Sequence, residues 1–222
     1  MSSRNRNSIV ALALAGFGLS ASAAIANGSF EAPILGAGAT TTYAVGSTAI
    51  TGWTIVGPVV PVLNANVQLV DETYASPGFD LSASDGNQWV DLTGMSETIG
   101  HGVETSFQSV VGASYVVTFD VGRLLSRTPA SVELKVDGIS VVVSTNTGAI
   151  VVGDVMNWQS FSVPFTATLT TTTLTFLGSS ANGGNPTLAG LDNVAVVPEP
   201  GTYAMLLAGL AAVGFVAKRR RS

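Results

Sequence analysis

The chain has 222 residues, of which 46% are hydrophobic and 10% are charged, and its formal net charge is −5. It contains no cysteine and one histidine, which excludes disulfides, thiolate metal sites and histidine-cluster metal sites. Calcium or magnesium, which take oxygen ligands, is the metal chemistry that this composition still favours.

The N-terminus has the pattern of a secretory signal peptide. Arg4 and Arg6 precede an apolar stretch from Ile9 to Leu19, after which Ala21-Ser22-Ala23 or Ala24-Ile25-Ala26 would serve as a cleavage site. We therefore predict a signal peptide at 1–26 and an exported domain at 27–197.

The exported region is strongly acidic once the two ends of the chain are set aside. It holds three basic and thirteen acidic residues, a net charge of −10. Such a surface repels nucleic acid and anionic polymers and suits cations or neutral sugars. We expect no nucleic-acid partner.

Apolar residues in the exported region alternate with period two, and no stretch shows a helical period. In one run Tyr115, Val117, Phe119 and Val121 share a face. Asp137-Gly138 separates two such runs and predicts a tight hairpin turn. The pattern predicts an all-β antiparallel sandwich, with strands at 41–45, 50–56, 67–71, 88–92, 103–110, 115–122, 131–136, 140–144, 159–165, 172–177 and 191–197.

The C-terminal segment 198–222 has three parts in a fixed order. It begins with Pro198, Glu199 and Pro200, and an uncharged apolar run at 201–217 follows. That run is at the short end of what crosses a bilayer as a helix, and a basic cluster after it favours the cytoplasmic side. We predict a C-terminal transmembrane helix followed by a basic cluster of Lys218, Arg219, Arg220 and Arg221.

This order of Pro-Glu-Pro, apolar helix and arginine cluster resembles the PEP-CTERM sorting signal of bacteria that make exopolysaccharide. The resemblance implies processing by an exosortase-type membrane enzyme. It also implies a protein that is exported and tethered to the inner membrane through its C-terminus. After processing, such a protein reaches the cell surface or the extracellular matrix.

Short motifs of the exported region resemble those of the choice-of-anchor secreted domains, which are relatives of the DUF642 proteins. The resemblance extends more distantly to carbohydrate-binding modules of the galactose-binding-like jelly-roll type. It implies a two-sheet jelly roll whose first and last strands pair. The motifs, in chain order, are Asn27-Gly-Ser-Phe-Glu31, Gly52-Trp53, the segment 85–94, Phe107-Gln108, Trp158-Gln-Ser-Phe161 and Leu191-Asp-Asn-Val194.

The resemblance also implies a structural calcium site. In the sugar-binding relatives, carboxylates at the positions of Glu31 and Asp192 hold a Ca²⁺ ion, and Asn27 and Asp120 are expected to supply further oxygens. Two carboxylates that lie close together need a cation between them, or one pKa rises. The alternative is that Glu31 and Asp192 are solvated charges at strand ends.

A glycan partner requires an exposed aromatic ring, because sugar rings stack on aromatic faces. Tyr74 and Phe79 lie in or beside a polar stretch and are the preferred ligand-binding candidates, with Trp89 as a third. Trp53 and Trp158 are expected in the core. The acidic surface favours a neutral polysaccharide.

These observations predict a structural or glycan-binding module of the cell envelope or exopolysaccharide matrix rather than an enzyme. A glycan-degrading enzyme is the first alternative, with paired carboxylates drawn from Asp91, Glu97 and Glu104. A self-associating surface protein without a ligand is the second.

Overall fold

The computed structural model describes residues 25–58, 67–74, 79–94, 99–124, 129–148, 154–179 and 188–199. These residues form twelve strands in two sheets and contain no helix. The predicted all-β antiparallel sandwich is confirmed, and the finer jelly-roll assignment stays a prediction. Nowhere in the described ranges is there a helix long and apolar enough to span a membrane. The predicted signal peptide (apart from its last two residues) and the predicted transmembrane run lie outside these ranges.

The larger sheet has seven strands in the order β1-β3-β5-β12-β7-β10-β4, and all its pairs are antiparallel except β10 with β4. Its members are β1 (Thr40–Tyr43), β3 (Val67–Asp71), β4 (Phe79–Asp80), β5 (Gln88–Asp91), β7 (Ser114–Leu124), β10 (Asp154–Thr166) and β12 (Gly190–Pro198). The smaller sheet has the order β2-β6-β11-β8-β9. It consists of β2 (Thr54–Val56), β6 (Gly102–Gln108), β8 (Ala130–Val136), β9 (Ile139–Asn146) and β11 (Thr171–Ser179).

The main core lies between the two sheets and follows from the period-two pattern. The predicted face of Tyr115, Val117, Phe119 and Val121 is buried there, and Trp53 joins it as expected. Because the alternate residues of these strands point away from this core, the larger sheet has a second, outer face. That outer face carries the candidate site.

Most predicted strands are present with shifted ends. The hairpin turn at Asp137-Gly138 is confirmed, with positive φ at both residues. The predicted strand 50–56 is reduced to Thr54–Val56, since a turn closed by the Trp53 N–H to the Ile50 carbonyl precedes it. The two-residue strand β4 was not predicted.

The expected pairing of the first and last strands is wrong. Strand β12 lies between β5 and β7, whereas β1 pairs only with β3. The opening segment forms no strand with β12, and instead the Val194 N–H donates to the Gly28 carbonyl at 2.9 Å. A register shift between Asp192 and Ala195 accompanies this contact.

We predict that Gly28→Ala destabilises the domain. An added Cβ would overlap the Val194 carbonyl oxygen, so the opening segment would have to move away from β12. Overpacking of this kind costs about 1–3 kcal/mol. Gly36→Ala is the matched control, because nothing lies within 4 Å of its added Cβ. Urea unfolding measures both, and equal free energies of unfolding in the two variants would contradict the prediction.

Candidate functional site

The loop between β4 and β5 is closed by two carboxylates that accept its backbone N–H groups. Asp192 Oδ2 accepts from Ser84 N at 2.8 Å and from Asp85 N at 2.9 Å. Glu31 Oε1 accepts from Asn87 N at 2.7 Å and Gln88 N at 2.9 Å. The structure therefore brings these two predicted residues to one loop.

Asp120 belongs to the same arrangement. Its Cα is the register partner of Asp192 across β7 and β12. Its Oδ2 accepts from Ser84 Oγ at 2.5 Å and from Asn193 Nδ2 at 3.1 Å. Asp120 thus helps to hold the loop through Ser84.

Asn27 makes different contacts. Its amide nitrogen donates to the carbonyls of Ala32, at 2.7 Å, and Thr51, at 2.9 Å, and its amide oxygen accepts from Ala32 N at 2.9 Å. These bonds shape the opening segment. The side chain of Asn27 is therefore occupied by backbone groups of Ala32 and Thr51.

The carboxylate oxygens of the predicted calcium site accept the hydrogen bonds that close the loop between β4 and β5. Calcium takes six to eight oxygen ligands, but the bonded oxygens of Glu31 and Asp192 already face N–H donors. The described part of the chain holds no group of three or more Asp, Glu, His or Cys residues arranged for a metal ion. Calcium binding stays a prediction, and backbone donors are its structural alternative.

Burial changes the acidity of two carboxyl groups at the site. Desolvation raises the pKa of Asp192 to about 7, against the opposing effect of its loop N–H donors and with a further increase from the charge of Asp85. Desolvation also raises the pKa of Asp91 to about 6, although Thr93 and Ala189 donate hydrogen bonds to it. Both shifts arise from removal of the carboxylate from water.

A second apolar cluster lies on the outer face of the larger sheet, and Trp158 is its partly exposed tryptophan. Trp158 lies across Gly122 and Gly190, which pair with each other between β7 and β12. A Cβ added at Gly122 would come within 2.6 Å of the indole ring. The cluster comprises Val70, Leu81, Trp89, Leu124, Met156 and Leu188, with Ala83 and Trp158 packed against it.

One hydrogen bond and one ring contact fix the orientation of the Trp158 ring. Its indole N–H donates to the Ser82 carbonyl at 2.8 Å, and its ring packs edge to face against Trp89 with the ring centroids 5.9 Å apart. Trp89 in turn donates to the Leu81 carbonyl at 2.8 Å. The loop closed by Asp192 and Glu31 therefore also positions the exposed tryptophan.

The structure corrects the predicted positions of two tryptophans. Trp89 is 0% exposed, so it has no ring face to offer a ligand. Tyr74 is 39% exposed, as predicted, whereas the side chain of Phe79 lies outside the described part of the structure. Trp158 was expected in the core. The alternation with inward-facing Phe161 and Val163 was the sequence signal that places it on the outer face.

A row of hydroxyl groups continues from Trp158 along the outer face. Ser160 and Ser162 follow it on the same side of β10, and both are exposed. Thr118 is the register partner of Ser162 on β7 and is partly exposed. An aromatic ring with uncharged hydroxyls beside it can stack on an apolar sugar face and hydrogen-bond its hydroxyl groups.

The carboxylates of the alternative catalytic pair are not brought together. Asp91 lies on β5 of the larger sheet and is buried, while Glu104 lies on β6 of the smaller sheet. Glu104 accepts a hydrogen bond from Thr175 Oγ1 at 2.8 Å. Glu97 falls outside the described residues.

The fold and the C-terminal signal together define an all-β sandwich module of exported proteins. A family model described as "Protein of unknown function (DUF642)" matches residues 23–197, and the chain belongs to this family. A PEP-CTERM protein-sorting motif matches residues 196–221, which confirms the sorting signal inferred from the sequence. No curated protein matches the chain.

Several solved structures are similar in fold. A cyclase from Fischerella sp. in its apo form is 18% identical, with a TM-score of 0.54 over 81% of this chain and 97% of its own. A Stig cyclase from Fischerella sp. TAU is 17% identical, with the same TM-score over 81% of this chain and 98% of its own. A family 35 carbohydrate binding module from Clostridium thermocellum is 14% identical, with a TM-score of 0.41 over 71% of this chain and 97% of its own. The two cyclases show a shared fold only.

The raised pKa values predict a stability that falls as pH rises. Asp91 has a pKa of about 6 when folded and about 3.9 when unfolded, so the folded state binds more protons between these values. Its contribution is complete below about 3.9 and lost as pH rises through about 6. Because the pKa of Asp192 is about 7 in the folded state, the loss of stability continues up to about pH 7.

Melting temperatures measured with a chelator present test this dependence. Asp91→Asn imitates the neutral carboxyl. In this variant the melting temperature should change less with pH up to about 6, and the decrease due to Asp192 up to about pH 7 should remain. The pKa of Asp71 is lowered, so Asp71 changes its charge below the pH range of this test and does not contribute to the slope. A wild-type melting temperature that increases between about pH 4 and pH 7 would contradict the assignment.

Proposed function

We propose that this chain is an exported, membrane-tethered module that binds a neutral glycan on the outer face of its larger sheet. The observation that carries the proposal is Trp158, a partly exposed ring fixed across Gly122 and Gly190. Rings held in one orientation bind at a lower entropic cost than mobile ones.

The chemistry around the ring favours an uncharged ligand. Ser160, Ser162 and Thr118 offer hydroxyl groups, which both donate and accept hydrogen bonds. The exported region carries a net charge of −10, which repels anionic polymers. Tyr74 supplies a second, separate ring on the surface. The ligand class is therefore a neutral polysaccharide, such as one of the cell envelope or matrix.

The proposed role is binding without turnover. Asp91 and Asp192, which have raised pKa values, are 5% and 0% exposed and are occupied by backbone N–H donors. Buried carboxyls that hold a loop do not meet a substrate. Processing by an exosortase-type enzyme is the proposed step that moves the module from the membrane to the surface or matrix.

Glycan titration of ring variants tests the proposal. Trp158→Ala should weaken binding of a neutral glycan identified on an array by roughly 2- to 13-fold, the equivalent of one aromatic contact. Tyr74→Ala should weaken binding without a change in melting temperature, since its ring is not part of the core.

The controls separate binding from stability. Trp53→Phe should lower the melting temperature and leave affinity unchanged, because Trp53 lies between the sheets. Ser162→Ala removes a hydroxyl beside the ring without disturbing the cluster. Unchanged affinity in the Trp158, Tyr74 and Ser162 variants would overturn the proposed site, and an array without neutral-glycan binding would overturn the function.

Structural calcium is a further part of the proposal. An ion that binds only the folded state adds about 2.7 kcal/mol at a hundredfold excess over its Kd, which is several degrees of melting temperature for a domain of this size. Asp192→Ala should abolish the response, and Asp80→Ala, which changes an exposed carboxylate, should retain it. An identical melting temperature in calcium and in chelator would leave loop closure to the backbone N–H donors alone.

A further inference from the structure

Two turns at one end of the sandwich expose large apolar side chains side by side. Val110 is 61% exposed and Val111 is 57% exposed in the turn between β6 and β7. Leu169, in the turn between β10 and β11, is 53% exposed. The turns are joined, because Ser109 N donates to the Thr170 carbonyl at 2.9 Å.

The chain leaves the domain at this same end. Val197 on β12 is 53% exposed, and Glu199 N donates to the Ser114 carbonyl at 2.9 Å. Ser114 follows Ala113, whose carbonyl accepts from Ala167 N at 3.0 Å. The exit is thus next to both turns. We call Val110, Val111, Leu169 and Val197 the apolar tip.

Only a short connection separates the tip from the apolar C-terminal run. That run begins at Gly201, two residues after Glu199. Two extended residues span at most about 7 Å. If the run lies in a bilayer, the tip is held at the bilayer surface.

The charge distribution agrees with this placement. No charged residue occurs in 105–119 or in 155–191, although the exported region carries thirteen acidic residues. The acidic groups beside the tip are Glu199 on the exit and Asp137, whose carboxylate accepts from Thr173 N. An uncharged apolar surface in an acidic domain suits the interface of a lipid bilayer, where apolar side chains sink about 5–10 Å.

We propose that the apolar tip inserts into the lipid interface and fixes the orientation of the domain on the membrane. The inference rests on the proposed membrane tether but concerns the opposite end of the larger sheet from Trp158. Strand β10 runs the length of the sandwich from Val155 to Thr166, about 36 Å at the rise of a strand. With the tip on the bilayer, the start of β10 and the loop closed by Asp192 face away from it, and the candidate glycan face is open to the exterior.

Site-specific labelling of the full mature chain tests this orientation. Since the chain has no cysteine, Leu169→Cys and Val111→Cys can each carry a single environment-sensitive fluorophore. Val155→Cys is the matched control, because Val155 is an exposed valine (37%) at the opposite end. The proteins are reconstituted into phosphatidylcholine vesicles that contain nitroxide lipids at a shallow or a deep position.

The expected result is a blue shift and strong quenching by the shallow nitroxide for both tip labels, with neither effect at Val155. Val110→Asp in the Leu169→Cys background should reduce both signals while the protein still sediments with the vesicles. Tip labels that stay water-exposed on sedimenting protein would overturn the inference and leave the tether intact. Protein that does not associate with the vesicles would overturn both. A blue shift at the tip without lipid, growing with protein concentration, would assign the tip to self-association and also overturn the inference.

Discussion

Closure of the loop between β4 and β5 is the interaction on which the outer face of the larger sheet depends. Three backbone N–H groups of this loop, and that of Gln88 at the start of β5, donate to the carboxylates of Asp192 and Glu31. Hydrogen bonds of this kind each contribute a net of about 0.5–1.5 kcal/mol, so together they hold the loop where water would otherwise compete. The same loop supplies the carbonyls that orient Trp89 and Trp158. Loss of the closure would leave the apolar cluster uncovered.

The glycine pair explains how the ring of Trp158 comes close to the backbone of the sheet. Gly122 and Gly190 face each other across β7 and β12, and neither has a side chain to lift the ring. A side chain at either position would displace Trp158. Strand glycines often mark a close approach of another group, and here that group is the ring of the candidate site. The opposite end of β10 lies beside the chain exit, so the two ends of the module differ in both composition and proposed partner.

The sequence predicted those elements whose signals lie within a few neighbouring residues. The alternation around Phe119 located a core strand, and the Asp137-Gly138 pair located the turn between β8 and β9, because both signals span only a few residues. The resemblance made Glu31 and Asp192 neighbours and offered Asp120 as a further oxygen, and the structure bonds all three to the loop between β4 and β5. What failed depends on long-range register. The position of β12 between β5 and β7 and the burial of Trp89 are decided by contacts between segments far apart in the chain, whereas the outward side of Trp158 follows from the local alternation with Phe161 and Val163.

The most direct test of the glycan face is an indole N–H spectrum of the ¹⁵N-labelled mature chain during titration with a bound neutral glycan. The chain has three tryptophans, so three indole signals are expected, and each reports a different place. The signal of Trp158 should move most, that of Trp89 should move less through the edge contact, and that of Trp53 between the sheets should stay in place. A titration in which Trp158 does not move while glycan binds would contradict the central claim.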